Sequence, residues 1–378
     1  MNILIIGGTG ILSTSVVNAC VNRKYKVTMI NRGRRGAFIN PSVELIKCDI
    51  RMKNQLDFLL NDRHFDAVID FLCFNEEQIA DSISIYGHRV KQYIFISSAQ
   101  VYNTSLNKIF KEDDEKPQPL WSYSVNKYAA EKLVKELCTS NGIIYTIIRP
   151  GVNYDNTRIP YGIYPPMGQH WTLCNRILKD KPIITWNNGM NKLNLTRAED
   201  FACGVVGLLD NEMAYNETFN VVGDYVYSWR EVLEVVGQYL NHKVEFIDIP
   251  VDFYANELKY DNEALRGGRA NNLVCSNEKL KKAYPEFHTQ YDLESGIRLT
   301  LNYYKENGFF KGYSCSFDAE TDRIINKYLS FMGKEKLALK YSPFGEIGTK
   351  ESVRNRLKYY CIVNKEKSII NLLLRGKI

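Results

Sequence analysis

No apolar run in the 378 residues approaches the ~20 needed to cross a bilayer, so no membrane span is expected. The nine cysteines are scattered from Cys20 to Cys361 without a CxxC pair. Their number is odd, and a reducing, cytoplasmic compartment is expected rather than a disulfide framework. The five histidines (His64, His88, His170, His242, His288) lack metal-ligand spacing, so no metal site is expected. The opening residues, Met1-Asn2-Ile3-Leu4-Ile5-Ile6, have no basic stretch ahead of their apolar run, and glycines follow at once. They read as a buried strand, not a targeting signal. Internal repeats and low-complexity segments are also lacking.

What is present is ordinary for a globular chain: 45% hydrophobic and 24% charged residues. The net charge of +6 is unevenly spread. From Lys311 to Ile378 there are 14 Lys/Arg against 7 Asp/Glu, which leaves the first 310 residues at −1. A near-neutral body therefore carries a basic tail.

Short apolar runs recur at Asn2–Ile6, Lys26–Ile30, Val43–Lys47, Asp66–Phe71, Tyr93–Ser97 and Ile143–Ile148. Helix-compatible stretches separate most of them: Ile11–Arg23, Met52–Asn61, Glu76–Tyr86 and Ser122–Ser140. Almost wholly apolar strands alternating with helices predict an α/β fold with a doubly wound parallel sheet, covered on both faces. The expected organisation is a Rossmann domain over 1–150, completed by about 191–224. A smaller substrate-binding α/β region over 151–310 and a basic helical extension over 311–378 follow. Pro, Gly, Tyr and Asn crowd 151–189. Regular structure resumes with Lys192–Leu195, Ala198–Leu209, Thr218–Val222 and Ser228–Leu240, the last opened by a Ser228/Glu231 capping box. In the tail, Thr321–Met332 and Val353–Val363 fit amphipathic helices, and Lys350–Lys377 mixes cations with Leu, Ile and Tyr.

The run Gly7-Gly8-Thr9-Gly10-Ile11-Leu12-Ser13 lies between the first strand and the first helix. Glycine there permits a sharp turn and lets the backbone approach a pyrophosphate, while the helix N-terminus offers free N–H groups. Ser13 stands where the fingerprint has its third glycine. The second strand exits into Asn31-Arg32-Gly33-Arg34-Arg35. An acid at that exit would favour NAD. Three guanidiniums, Arg32 and Arg35 among them, suit a 2′-phosphate and favour NADP over NAD.

The fifth strand runs into Ser97-Ser98-Ala99-Gln100-Val101-Tyr102, and Tyr123 follows Ser98 by 25 residues. Tyr123 and Lys127 sit at i and i+4 on one helix face. A phenol with pKa of about 10 is a poor base at neutral pH, and a neighbouring ammonium lowers it. A serine hydroxyl can hold a substrate oxygen while the phenol gives or takes its proton.

These residues resemble the extended short-chain dehydrogenase/reductase family of nucleotide-sugar epimerases, dehydratases and reductases. The resemblance rests on Gly7–Gly10, Cys48-Asp49-Ile50, Ser-Ser-Ala-x-Val-Tyr, Tyr123-x-x-x-Lys127 with Glu131, Arg149-Pro150-Gly151 and Phe219-Asn220-Val221. It implies that Tyr123 is the acid/base, Ser98 its partner and Lys127 the ligand of the nicotinamide ribose. It further implies that Asp49 and Ile50 contact adenine and that Pro150 and Val152 lie near the nicotinamide amide. Thr9, Ile11, Leu12, Asn31, Phe71, Leu72 and Ser97 fall on the cofactor side by the same resemblance. The segment Asp70-Phe71-Leu72-Cys73-Phe74 departs from the family in lacking its usual small residues. Cys73 itself reads as a buried structural thiol.

A second departure narrows the reaction. Family dehydratases place Thr-Asp-Glu where this chain has Ser98-Ala99-Gln100. Alanine and glutamine do no acid–base work, which argues against a 4,6-dehydratase. Gln100, Asn153, Arg158, Arg176 and Arg197 fall where the family's substrate contacts lie, as do Tyr154, Tyr161, His170 and Trp171; Arg176 and Arg197 suit a diphosphate. The expected function is NAD(P)-dependent epimerisation or keto-reduction of a nucleotide-activated sugar by a homodimer, with nucleic acid not expected as a partner. Two alternatives remain open: a non-catalytic nucleotide-sensing or RNA-binding protein on the same fold, and a reductase of another secondary alcohol or ketone.

Overall fold

Alternate residues of the apolar strands enter two different cores. Ile3, Ile5, Val27, Met29, Ala67, Ile69, Ile94 and Ile96 pack in one; Leu4, Ile6, Ile30, Val68, Tyr93 and Phe95 pack in the other. A period of two sends successive side chains to opposite faces, and both faces are apolar because both are covered. Each Val, Leu, Ile, Met or Phe side chain so withdrawn from water contributes roughly 1.5–3 kcal/mol.

The strands are β1 (Asn2–Ile6), β2 (Lys26–Asn31), β3 (Glu44–Lys47), β4 (Phe65–Asp70), β5 (Val90–Ile96), β6 (Ile144–Pro150) and β7 (Glu217–Val221). They form one sheet in the order β7-β6-β5-β4-β1-β2-β3, and every neighbouring pair is parallel. The helices are α1 (Ile11–Asn22), α2 (Lys53–Leu60), α3 (Glu76–Tyr86), α4 (Ser122–Ser140) and α5 (Ala198–Gly207). α1 and α5 cover the first core through Val16, Val17, Cys20, Phe201 and Val205. α2, α3 and α4 cover the second through Leu56, Ile79, Ile83, Ala130 and Val134. The doubly wound parallel sheet expected from the sequence is therefore the observed one, and strand order reverses between β1 and β4, where such folds open a ligand crevice.

This computed structural model describes residues 1–35, 39–114, 120–343 and 349–364. The chain divides into two compact units. The first consists of Met1–Asp155, Lys192–Val226 and Asn271–Asp292 and contains the sheet. The second takes the remaining segments. It contains the helices Trp171–Leu178, Trp229–Leu240, Leu293–Glu306, Cys315–Phe331 and Thr349–Asn364, and a parallel strand pair, Ile183–Thr185 with Phe246–Asp248. Ser228 and Glu231 form the expected capping box of Trp229–Leu240, with the Ser228 N–H donating to Glu231 at 2.6 Å. The loosely patterned stretch 151–189 is more ordered than its composition suggests, since it holds the strand Val152–Tyr154 as well as Trp171–Leu178 and Ile183–Thr185. The two tail helices begin earlier than their apolar spacing indicates. Residues 365–378 of the basic extension lie outside the described residues. Among the described residues no helix is long and apolar enough to cross a membrane, and no group of acidic, His or Cys side chains forms a metal site.

Candidate functional site

The glycine turn leaves β1 with backbone angles that L side chains rarely adopt: φ is +111° at Gly7 and +89° at Gly8. A Cβ at Gly8 would stand 1.9 Å from the Met29 sulfur, so the turn closes onto β2 only with glycine there. Gly7 lies beside Phe71 and Leu72 at the end of β4. Ser13 explains its own departure from the fingerprint: its Oγ accepts the Gly10 N–H at 2.8 Å and tightens the entry into α1. The first helical bond runs from Thr14 N–H to Gly10 O, so the N–H groups of Ile11, Leu12 and Ser13 precede it. These features fit a dinucleotide pyrophosphate.

Asn31 shapes this cradle. Its Nδ2 donates to Gly7 O at 2.9 Å and its Oδ1 accepts the Gly33 N–H at 2.7 Å, so one side chain joins the glycine turn to the arginine turn. Arg35 donates to Thr9 O at 3.2 Å. Arg32 and Arg34 are exposed and form no hydrogen bond or ion pair among the described residues. Asp49 is held by Arg51 through Nε at 3.0 Å and Nη2 at 2.6 Å, and this pairing keeps its carboxyl well below the usual range, with help from the Arg32 charge.

The Ser98 backbone is extended and caps a short turn, with its Oγ accepting the Gln100 N–H at 3.2 Å. Ser124 donates to Gln100 O at 2.5 Å and thereby binds α4 to that turn. This sets the Ser98 hydroxyl close enough to the Tyr123 phenol to bear on its ionisation. Burial pushes the Tyr123 phenol above its ordinary pKa, and the Ser98 hydroxyl draws it back.

Lys127 is buried, and its Nζ donates to Cys73 O at 2.6 Å and Ile96 O at 2.8 Å. The rings of Phe74 and Phe95 lie 4.6 and 4.8 Å away. Burial lowers its pKa to about 8, against the charges of Cys73, Asp70 and Glu131, which raise it. The expected direct depression of the tyrosine by the lysine is therefore not the main arrangement. The ammonium is secured by backbone carbonyls, and Ser98 is the group that partly offsets the rise in the Tyr123 pKa caused by burial. The turn that presents Cys73 O and Phe74 is itself organised by buried Asp70. Asp70 Oδ1 accepts the Leu72 N–H at 2.8 Å, and its Oδ2 accepts from Ser82 at 2.5 Å, Tyr93 at 3.0 Å and the Cys73 thiol at 3.1 Å. Cys73 is the inert thiol expected, its pKa pushed well up by burial.

The other motif residues converge on one buried network. Arg149 meets Glu131 with Nε at 2.8 Å and Nη2 at 2.6 Å. Arg149 Nη1 donates to Tyr102 OH and to Glu112 O, both at 2.8 Å. Tyr102 donates to Asn220 Oδ1 at 2.8 Å, and the Asn220 N–H donates to Glu112 Oε1 at 2.9 Å. Ser97 donates to Glu131 at 2.6 Å and so joins this network through its side chain. The hydrogen-bonding roles of Glu112, Asp70, Ser82 and Tyr93 are not legible in the sequence, because a single buried polar residue leaves no periodic signal.

The substrate candidates separate into two groups. In the first unit Gln100 Oε1 and Asn153 Oδ1, and separately in the second unit Arg158 Nε, are buried atoms without a hydrogen-bond partner among the described residues. Unpaired buried polar atoms are costly, and a ligand would satisfy them. Arg197 is buried and grips Glu199 at 2.9 and 2.8 Å, with its guanidinium over Tyr154 and Tyr291. Arg176 corrects the sequence reading. It is fully buried in the second unit, 2.6 Å from Asp318 and 2.7 Å from Asp322, and donates to Pro182 O at 2.7 Å. Its charge is already neutralised, so it is not available to a diphosphate. Tyr154, Tyr161 and Trp171 are buried packing residues, and burial drops the His170 pKa to about 4, which keeps it neutral. Pro150 and Val152 flank Gly151, where a Cβ would come within 2.9 Å of Val222.

The model of the NAD dependent epimerase/dehydratase family matches residues 3–84 and 75–222. The chain belongs to this family. A curated relative is the 2′-dehydrokanamycin reductase of Streptomyces kanamyceticus, 21% identical over 259 residues, which are 68% of this chain and 72% of that protein. Among solved structures, the UDP-glucuronic acid 4-epimerase of Bacillus cereus, in complex with UDP-glucuronic acid and NAD, aligns with a TM-score of 0.65 at 19% identity over 81% of this chain and 100% of its own. The dTDP-glucose 4,6-dehydratase of Bacillus anthracis, in complex with NAD, aligns with a TM-score of 0.65 at 18% identity over 83% of this chain and 98% of its own. By name these are a reductase, an epimerase and a dehydratase. The family and its fold therefore leave the reaction to be argued from side chains.

Proposed function

We propose that this member of the family moves hydride to or from a carbinol or keto carbon of a nucleotide-activated sugar, and that it is a reductase or epimerase rather than a 4,6-dehydratase. The observation that carries the reading is the placing of Tyr123 and Lys127 on one helix, with Lys127 anchored on Cys73 O and Ile96 O and the Ser98 hydroxyl beside the Tyr123 phenol. A bound nicotinamide supplies the hydride or accepts it. Tyr123 exchanges the proton of the substrate oxygen, Ser98 holds that oxygen, and Lys127 supplies a fixed positive charge. A phenol is protonated near neutral pH, so Tyr123 can donate to a keto oxygen in the reductive direction and take the proton back in the oxidative one. Ala99 is fully buried and neither it nor Gln100 titrates usefully, so the turn after Ser98 lacks the acid and base that dehydration requires. The unpaired Gln100 and Asn153 oxygens suit sugar hydroxyls, which donate.

For the cofactor we propose a preference for NADP over NAD. Asn31 spends both polar atoms on the turn, no carboxylate closes β2, and Arg32 and Arg34 are exposed beside it.

Turnover of a panel of nucleotide-sugars and their keto forms, with each cofactor, tests both proposals. Cofactor-dependent turnover that Tyr123→Phe abolishes is expected. Full activity in Tyr123→Phe, or no cofactor-dependent turnover on the panel, would overturn the reading of the site. NAD binding as tight as NADP, with both unchanged in Arg32→Ala, would overturn the cofactor preference alone.

A further inference from the structure

The helix Thr349–Asn364 has two unlike faces. Tyr359 on its inner face is fully buried and its hydroxyl donates to Asp322, while Asn355 O accepts the Cys315 thiol at 3.0 Å. Those contacts fix how the helix is turned against Cys315–Phe331. On the outer face Val353, Leu357 and Tyr360 follow one another at i, i+4 and i+7 and are 60%, 44% and 38% exposed. Exposed cations border this apolar stripe: Arg356 on one side, Arg354 and Lys358 on the other. None of the three forms an ion pair or hydrogen bond among the described residues.

Charge gives the stripe a direction. From Thr349 to Ile378 there are eight Lys/Arg and two Asp/Glu, a net +6 equal to that of the whole chain, so the preceding 348 residues are neutral in sum. After Asn364 the sequence continues the mixture, with Lys365, Lys367, Arg375 and Lys377 around Ile369-Ile370-Asn371-Leu372-Leu373-Leu374.

We propose that the outer face of Thr349–Asn364 docks on an anionic lipid surface, with the helix lying in the headgroup plane. Val353, Leu357 and Tyr360 enter the boundary with the acyl chains, and the flanking guanidinium and ammonium groups meet lipid phosphates and carboxylates. Like charge argues against the two nearer occupants: the chain's own last residues and a second copy of this helix are both basic. A nucleic acid would satisfy the cations and leave Val353 and Leu357 without a partner, since neither stacks on a base.

The test is co-sedimentation of the full chain with phosphatidylcholine vesicles and with vesicles of phosphatidylcholine and phosphatidylserine, at low and high salt. Binding to the anionic vesicles is expected, weakening as salt rises. Charge reversal in Arg354→Glu/Arg356→Glu is expected to weaken it at least about tenfold. Val353→Asp/Leu357→Asp is expected to abolish it. All these positions are exposed, and unchanged thermal melts of both variants keep the comparison valid. Equal binding to both vesicle types, or none to either, overturns the proposal. So does a hairpin-RNA gel shift that survives Val353→Asp/Leu357→Asp while vesicles fail to bind. Concentration-dependent self-association that these variants reverse, without vesicle binding, overturns it as well.

Discussion

Each of the two units buries a cluster of opposite charges, and the two clusters serve different ends. In the first unit Glu131 and Arg149 form a two-point pair that is almost fully removed from water. In the second, Arg176 and Lys181 face Asp318 and Asp322 at 2.5–2.7 Å with comparable burial. The physics is shared: each ion has lost its hydration, and only a complete set of partners compensates. The location differs. Glu131 stands one turn beyond Lys127 on α4, so its pair with Arg149 ties α4 to β6 and, through Tyr102 and Asn220, to β7. The second cluster joins residues about 140 positions apart and pins the helix Cys315–Phe331, and through Tyr359 the helix after it. One cluster braces the helix that carries Tyr123 and Lys127; the other braces the basic tail. The residues that make the sequence recognisable, Tyr102, Glu131, Arg149 and Asn220, mostly touch one another. Motif strength in this chain marks scaffold as much as chemistry.

This contrast can be broken experimentally. Tyr123→Phe removes chemistry without touching either cluster, so kcat is expected to fall ~10²–10⁴-fold with an unchanged melting temperature. Glu131→Ala leaves Arg149 buried and unpaired, and denaturant titration is expected to read a loss of about 3–5 kcal/mol. Asp322→Ala is expected to cost stability on the same scale. Its signature differs, however: limited proteolysis should reach the tail first, and kcat per folded molecule should hold. Equal loss of kcat in Asp322→Ala and Glu131→Ala would erase the distinction.

Smaller effects sharpen the comparison. Arg32→Ala is expected to weaken NADP roughly tenfold and leave NAD nearly unchanged, read by equilibrium titration. Asp70→Asn acts on Lys127. The lysine's folded-state pKa of about 8 lies below its ordinary value, so the useful ammonium form is lost as pH rises through about 8. The same depression makes the folded chain bind that proton less tightly than the unfolded chain, so its contribution to stability grows with pH between about 8 and the ordinary lysine value. The Asp70 charge holds the lysine pKa up. Asp70→Asn is therefore expected to move the alkaline limb of kcat to lower pH, and an unmoved limb would show that the carboxylate acts only through packing.

Much of this was legible beforehand. The parallel sheet could be read because period two and covered faces leave a strong signal, and α3 and α4 have the boundaries their apolar spacing predicts. The positions of the glycine turn, Ser98, Tyr123 and Lys127 on their strand end and helix could be read from short, fixed separations, and the roles expected of them are those proposed for the site. Arg176 was misassigned because an arginine's role depends on whether an acid far along the chain reaches it, and Asp318 and Asp322 do. Ser97 and Ser98 are neighbours whose side chains have different partners, Ser97 donating to Glu131 while the Ser98 hydroxyl bears on Tyr123. The Asp70 cluster was missed for the same reason as the second unit's ion cluster, since buried polar partners come together only in three dimensions.

The central claim, that Ser98 and Tyr123 hand a proton to a substrate whose carbon exchanges hydride, is tested most directly by rapid mixing. The wild type and Tyr123→Phe would each be mixed with NADPH and a panel of keto nucleotide-sugars, and with NADP and the corresponding alcohols. The observable is the near-ultraviolet absorbance of the reduced nicotinamide. The account predicts a substrate-dependent change in the wild type that is slowed at least about a hundredfold in the variant. A change of the same rate in both proteins would contradict it.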